Sequence, residues 1–350
     1  MSKTLRTVVS AASICDVPGD LTSVLAALIC AAFVTAAEPV LIPLLRRAAV
    51  DVPNGRSSHS VPTPRGGGAP IAAGLVLTAL LLMHGTVATT FAVAVAAFAA
   101  IGFADDLAGL PARRRLLLQG LASLAIAGVL VDRMHLPPAV LAAGVIVVTV
   151  WIIGFVNAFN FMDGVNGISA AHAVIGGAAY ACLGWLRPDP FLAAAGAAVA
   201  AGALAFLPWN AVRARVFLGD AGSYGLGAAL AVLAAYSVTR GIPLEAALAP
   251  LGLYLADTAW TLQRRIRAGQ RILEAHRTHT YQQLCDVGWS HQRVTVATAA
   301  VTAALCLLGA ASLTGHQGLR AAADLAAIGL LAAYLRAPVL LGRARVLAEA

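Results

Sequence analysis

Apolar runs of alanine, leucine, valine and isoleucine, about 15 to 24 residues long, alternate along the chain with short breaks rich in Gly, Pro and Arg. Runs of that length suit helices crossing a hydrocarbon core of roughly 30 Å. Helices must do the spanning, because an unpaired backbone amide is too costly in lipid. The breaks define eleven candidate spans, 21–44, 70–84, 87–104, 116–131, 137–156, 165–186, 191–211, 222–239, 243–263, 294–313 and 319–341. The pattern predicts an all-α, polytopic integral membrane protein of about eleven transmembrane helices, with ten as the alternative count.

The breaks are of two kinds. Tight turns such as His84-Gly85-Thr86 and Arg187-Pro188-Asp189-Pro190 mark one face, and the longer polar loops fall on the other. The long-loop face holds Arg46, Arg47, Arg56 and Arg65, the run Arg113 to Arg115, Arg213 and Arg215, six arginines from Arg264 to Arg293, and three near the C-terminus, 18 of the 24 basic residues. Basic loops stay in the cytoplasm, so the long loops and the C-terminus are expected inside and the N-terminus outside. The predicted organisation is an N-terminal tail (1–20), a single multi-span domain (21–341) with cytoplasmic loops near 45–69, 105–115, 157–165, 212–222 and 264–293, and a cytoplasmic tail (342–350). Asp16, Pro18 and Asp20 interrupt any signal-peptide core in the first twenty residues, so the first span is expected to serve as a signal anchor.

Composition agrees: 60% of the 350 residues are hydrophobic, 11% are charged, and the mean hydropathy is +0.82. The net charge of +8 sits in short loops, which fits membrane orientation and gives no reason to expect a nucleic-acid partner. Five cysteines without C-x-x-C spacing imply neither a disulfide framework nor a zinc site. No repeat is visible, and the spans lack the inverted Gly/Pro-broken pairs of many transporters.

The polar loops carry the chemistry. Asn157, Asn160 and Asp163 recur every third residue before Gly164-Val165-Asn166-Gly167, a spacing that lets three oxygen-bearing side chains share one side of a helix end. A capped helix end uses the same residue types. In the first loop Arg56, Arg65 and the Gly66-Gly67-Gly68 triplet can surround a phosphate, with guanidinium forks and close-lying amides. Asp105 and Asp106, adjacent at the end of a span, need water, a cation or an ion pair; they suit Mg²⁺ or a proton acceptor, or a cap paired with Arg113 to Arg115. Asp220, flanked by Gly219 and Gly222 at a loop-to-helix junction, suits a metal beside a bound anion, and Phe217 has a face on which a base can stack. In the last loop His276, Arg277 and His279 can contact diphosphate or sugar hydroxyls, and the same stretch reads equally as an interfacial helix with snorkelling arginines. Asp257, inside the preceding span, is an intramembrane carboxylate that needs a partner or a function.

Four of these loops, in order, resemble the polyprenyl-phosphate N-acetylhexosamine-1-phosphate transferases. The matching motifs are Asp51-x-Pro-Asn54-x-Arg56 with Pro62-x-Pro64-x-x-Gly-Gly, Asp105-Asp106, Asn157-x-x-Asn160-x-x-Asp163-Gly-x-Asn166-Gly167, and Phe217-x-Gly219-Asp220-x-Gly222-Ser223. The resemblance implies transfer of a sugar 1-phosphate from a UDP-sugar to undecaprenyl or another polyprenyl phosphate at the plasma membrane, the first step of a cell-surface glycan. It implies Mg²⁺, with Mn²⁺ as a substitute, at Asp220 and Asn160; uracil at Asn166, with Phe217 stacked on it; lipid-phosphate activation by Asp105 or Asp106; Asp163 organising the turn; and Asn157 supporting it. A homodimer is expected by family analogy. The last loop departs from the His-x-His-His of many bacterial relatives, having His279-Thr-Tyr281-Gln282 instead. That resembles the branch initiating O-antigen, whose donors are UDP-GlcNAc or 6-deoxy relatives, and argues against a MurNAc-pentapeptide donor. The alternative is a polytopic transporter or lipid flippase, which calls for charges near the bilayer midplane of several spans. A CDP-alcohol phosphotransferase is excluded because Asp163-Gly164 continues as Val-Asn-Gly.

Overall fold

The computed structural model describes residues 19–53, 61–132, 134, 137–271 and 276–349. The chain is a predominantly helical, polytopic membrane protein. Its long helices are α1 (Gly19–Ala48), α3 (Thr86–Ala108), α4 (Ala112–Asp132), α5 (Pro138–Phe161), α6 (Ile168–Leu186), α7 (Pro190–Asn210), α8 (Gly219–Thr239), α12 (His291–Ala310) and α13 (Gln317–Glu349). Among the described residues these nine are long and apolar enough to cross a membrane.

Two of the eleven expected spans take other forms. The first becomes α2 (Ala69–Leu82), whose 14 residues reach about 21 Å at 1.5 Å per residue, short of the hydrocarbon thickness. The second, 243–263, is broken into α9 (Leu244–Leu248), a 3₁₀ turn (Ala249–Leu251) and α10 (Gly252–Arg267). Pro250 sits in that turn and has no amide to donate, so one continuous helix is disfavoured there. The last loop adds the short helix α11 (Thr280–Asp286).

Helix α8 is the axis of the bundle and is buried along almost its whole length. It packs mainly on α3 and α5, while α6 pairs with α7, α7 with α1, and α4 with α5. Small residues allow the close approaches, the usual device where lipid offers no hydrophobic drive between helices. A Cβ on Gly68 would lie 2.1 Å from the Cα of Gly222, and one on Gly102 would lie 2.1 Å from the Asp220 carbonyl oxygen. By contrast α5 and α13 turn Val140, Ile146, Val147, Leu325 and Ile328 outward as apolar surface for lipid.

The motif loops converge at one end of the bundle, joined by contacts among Arg65, Asp106, Asn160, Asn166, Asp220 and His291. There Val50–Asp51 (β1) pairs antiparallel with Thr63–Pro64 (β2), in the register Val50 to Pro64. The opposite end holds the tight turns, tied by Arg240 to Asp189 at 3.0 Å and by Arg320 to Glu245.

The packing makes a specific demand on α2 and α8. Gly68→Val is expected to cost about 1–3 kcal/mol of stability through overpacking, whereas Gly128→Ala, where a Cβ meets nothing within 4 Å, is expected to be neutral or slightly stabilising. Thermal unfolding of the two variants in detergent measures the contrast.

Candidate active site

Two adjacent strands of loop build the floor. Phe217 N–H donates to the Pro64 carbonyl (2.8 Å), Gly67 N–H to the Phe217 carbonyl (2.9 Å) and Gly68 N–H to the Leu218 carbonyl (2.8 Å). The chain then turns at Gly219 with φ +73°, and a Cβ there would lie 2.4 Å from the Gly66 nitrogen. Only glycine meets both demands. The turn delivers Asp220 into the first turn of α8.

Asp106 holds that turn from the last turns of α3. Its Oδ1 accepts from Asp220 N–H and its Oδ2 from Ala221 N–H, both at 3.0 Å, so a carboxylate from one helix caps another. Arg65 lies across it, with Nε 3.7 Å from Oδ1 and Nη2 donating to the Asp106 carbonyl at 2.7 Å. Asp105 is equally engaged. Its Oδ1 accepts from Leu110 N–H at 2.6 Å, and its Oδ2 accepts from Arg115 Nη1 at 2.8 Å and from the Tyr224 hydroxyl at 3.4 Å.

Asp220 differs from both. Its Oδ1 accepts from Asn160 Nδ2 at 2.6 Å, and the same amide nitrogen donates to Ser223 Oγ at 2.9 Å. Asp105 is paired with Arg115 and Asp106 faces Arg65, but Asp220 has no ion pair among the described residues. Among those residues no three His, Cys, Asp or Glu side chains form a group able to hold a metal by themselves. A hard cation that takes one or two carboxylates and draws its remaining oxygens from a substrate phosphate fits this donor set. Asn160 presents its nitrogen to Asp220 and so holds that carboxylate in place.

The Asn157-Asn160-Asp163 series does not form one face. Helix α5 runs on to Phe161, so both asparagines lie on its last turns and Asp163 falls beyond its end. Asn157 turns to α4, donating to Gln119 Oε1 at 2.7 Å, while Asn160 turns to α8. Asp163 sits in the connecting loop, half-buried. Desolvation, opposed by the Ser169 hydroxyl and reinforced by the Asp106 charge, pushes its carboxyl up to about 7. The end of the loop is pinned on two sides: Gly167 N–H donates to Asn210 Oδ1 at 2.6 Å, and the Asn166 carbonyl accepts from Thr295 Oγ1 at 2.8 Å.

In the last loop, Arg277 pairs with Asp286 at 3.1 Å. His276 stacks on His279 with ring centroids 5.1 Å apart. Desolvation, then the His279 and Arg265 charges, push His276 down to about 4, so it is a neutral imidazole at pH 7. His279 is buried, with Nδ1 3.2 Å from Asp257 Oδ1. Arg56 lies outside the described residues. The structure thus brings Arg65, Asp105, Asp106, Asn160, Phe217 and Asp220 together, with Asp163 close by, and sets Asn157 and Arg277 on partners of their own. Sequence reasoning missed Gln119, Asn210, Tyr224, Tyr281 and Tyr334. Gln119, Tyr224 and Tyr334 lie within largely apolar helices, Asn210 ends α7 and Tyr281 sits in the polar α11, and only the partner reveals each role.

The glycosyl transferase family 4 model matches residues 88–238, from the start of α3 to the end of α8. A probable undecaprenyl-phosphate N-acetylglucosaminyl 1-phosphate transferase of Bacillus subtilis is 31% identical over 280 residues, covering 75% of this chain and 78% of that protein. The chain belongs to this family. A decaprenyl-phosphate N-acetylglucosaminephosphotransferase of Mycobacterium tuberculosis is 31% identical, covering 74% of each chain. A phospho-N-acetylmuramoyl-pentapeptide-transferase of Geobacillus is 29% identical, covering 78% of this chain and 92% of that one.

The raised Asp163 carboxyl has a pH signature. Its folded-state value of about 7 exceeds the ordinary value near 3.9, so between those limits the folded protein binds more protons and stability falls as pH rises. Asp163→Asn is therefore expected to raise thermal stability at pH 8 and leave it little changed at pH 4. Unfolding in detergent with chelator at both pH values measures this.

Proposed function

We propose that the protein transfers a sugar 1-phosphate from a UDP-N-acetylhexosamine, UDP-GlcNAc or a 6-deoxy relative, to undecaprenyl or another polyprenyl phosphate. The products are a polyprenyl diphosphate-sugar and UMP. The observation that carries this reading is Asp220, a carboxylate with no ion pair among the described residues, held by Asn160 and by the Asp106-capped turn beside Arg65 and Arg115, in a chain related to transferases of this kind.

In this reading an oxygen of the lipid phosphate attacks the sugar-bearing phosphorus, and the bond to the uridylyl phosphate breaks as UMP leaves. A lipid phosphate is already ionised near neutral pH, so the step makes little demand for a strong base. Mg²⁺, or Mn²⁺ in its place, would be held by Asp220 with Asn160 beside it, supplying charge neutralisation for the diphosphate. Arg65 and Arg115 add positive charge on the same side, while Asp105 and Asp106 hold those arginines and the α8 turn in position. Asn166 and Phe217 would contact uracil. The site would face the cytoplasm at the plasma membrane, as the distribution of arginines implies, and the product would begin a cell-surface glycan. A transporter is not favoured, because the polar groups of the sequence motifs gather at one end of the bundle.

The reading is tested by incubating purified protein with undecaprenyl phosphate, Mg²⁺ and a panel of UDP-N-acetylhexosamines while following UMP. One donor is expected to release UMP, and EDTA is expected to stop it. Release from none of them by folded protein overturns the reading. Asp220→Ala is expected to lower turnover by about 10²-fold or more while the protein remains inserted and folded; near-normal turnover removes Asp220 from the metal role.

A further inference from the structure

Asp257 is fully buried, yet its carboxylate accepts five hydrogen bonds from three segments. Oδ1 accepts from Thr261 Oγ1 (3.2 Å), His279 Nδ1 (3.2 Å) and Thr280 N–H (3.0 Å). Oδ2 accepts from Tyr281 N–H (3.4 Å) and from the Tyr334 hydroxyl of α13 (2.8 Å). Among the described residues the cluster shares no hydrogen bond with Asp105, Asp106 or Asp220, and Tyr281 connects it to the site in two ways. The Tyr281 hydroxyl donates to the Phe161 carbonyl at 3.0 Å, at the start of the loop that carries Asp163. Gly164 lies directly against that hydroxyl, since a Cβ on it would come within 2.1 Å of the oxygen.

A structural anchor needs only the backbone bonds to Thr280 and Tyr281. This carboxylate also faces an imidazole nitrogen, and so fixes the proton on His279 Nδ1. The other nitrogen, Nε2, is buried without a hydrogen-bond partner among the described residues. The His279 ring lies 6.1 Å from the Phe161 ring, centroid to centroid. A buried imidazole with one nitrogen held and the other left unmatched is poised to hydrogen-bond a group that enters only with substrate.

We propose that Asp257 is a positioning residue of the site, acting through His279 and Tyr281 on the Phe161–Gly167 loop, and that Tyr334 of α13 completes its seat. The kinetic part of this proposal rests on the transferase reading above. The last helix then does more than anchor the chain in lipid: it supplies the hydroxyl that holds the carboxylate's second oxygen. Losing that hydroxyl leaves Oδ2 with only the long 3.4 Å bond from Tyr281 N–H, so the carboxylate is held less firmly and the loop beside Asp163 is less tightly fixed.

The test uses the full-length protein with Asp257→Asn, Tyr334→Phe and the double variant. Amide hydrogen exchange does not depend on activity: Tyr334→Phe is expected to speed exchange in peptides covering 279–283 and 161–167 and to leave α6 and α7 unchanged. Exchange unchanged at both segments overturns the proposal even if no donor is ever turned over. With an active donor, Tyr334→Phe is expected to lower kcat about tenfold with KM within about twofold. The double variant is expected to be no slower than Asp257→Asn, because both changes break one unit. Kinetics equal to the unaltered protein overturn the proposal, as do losses that multiply and merely follow a fall in thermal stability. If Asp257→Asn does not fold, Tyr334→Phe decides alone.

Discussion

The site depends on one carboxylate capping a helix to which it does not belong. Asp106 projects from the end of α3 and takes the Asp220 and Ala221 amides at the start of α8. Those amides have no intrahelical partner, and at the end of a buried helix leaving them bare is costly. The interaction therefore fixes both the position of α8 along its axis and the direction in which Asp220 leaves it. Arg65 on the other side of Asp106 ties in the first loop, so three distant stretches of chain meet at one carboxyl group.

Charge is distributed unevenly around that point. Asp105 and Asp106 are engaged with arginines and amides, and the Asp220 carboxylate is held by neutral Asn160, whose amide also donates to Ser223. Carboxylates in so small a volume repel one another, and a site in which Asp220 has no ion pair among the described residues suits a cationic ligand with a polyanionic substrate. The small residues along α8 serve the same end. Gly102 against Asp220 and Gly68 against Gly222 let backbones touch, so that short side chains can reach one another across four helices.

Much of this was legible in the sequence. The long apolar runs became helices, and the arginine-rich loops gathered at one end, because lipid allows little else. Asp105, Asp106 and Asp220 stood out because adjacent or glycine-flanked carboxylates are anomalous in a chain with only 11% charged residues. The expected span at 243–263 is broken in the structure because Pro250, in a run of otherwise unremarkable hydropathy, interrupts the helix. The three-residue spacing from Asn157 to Asp163 misled for a similar reason. Periodicity describes a face only while the helix lasts, and α5 ends at Phe161.

What the sequence determined by itself was the solvent of each segment, since transfer of apolar and charged side chains between water and lipid is a property of composition along the chain. Which side chains meet was decided only by the tertiary structure. Asn157 faces Gln119, Asn160 faces Asp220, and Asp257 gathers His279, Tyr281 and Tyr334. Hydrogen bonds are short and directional, so a partner 60 or 77 residues away is selected by helix packing, and no local pattern in the chain records that choice.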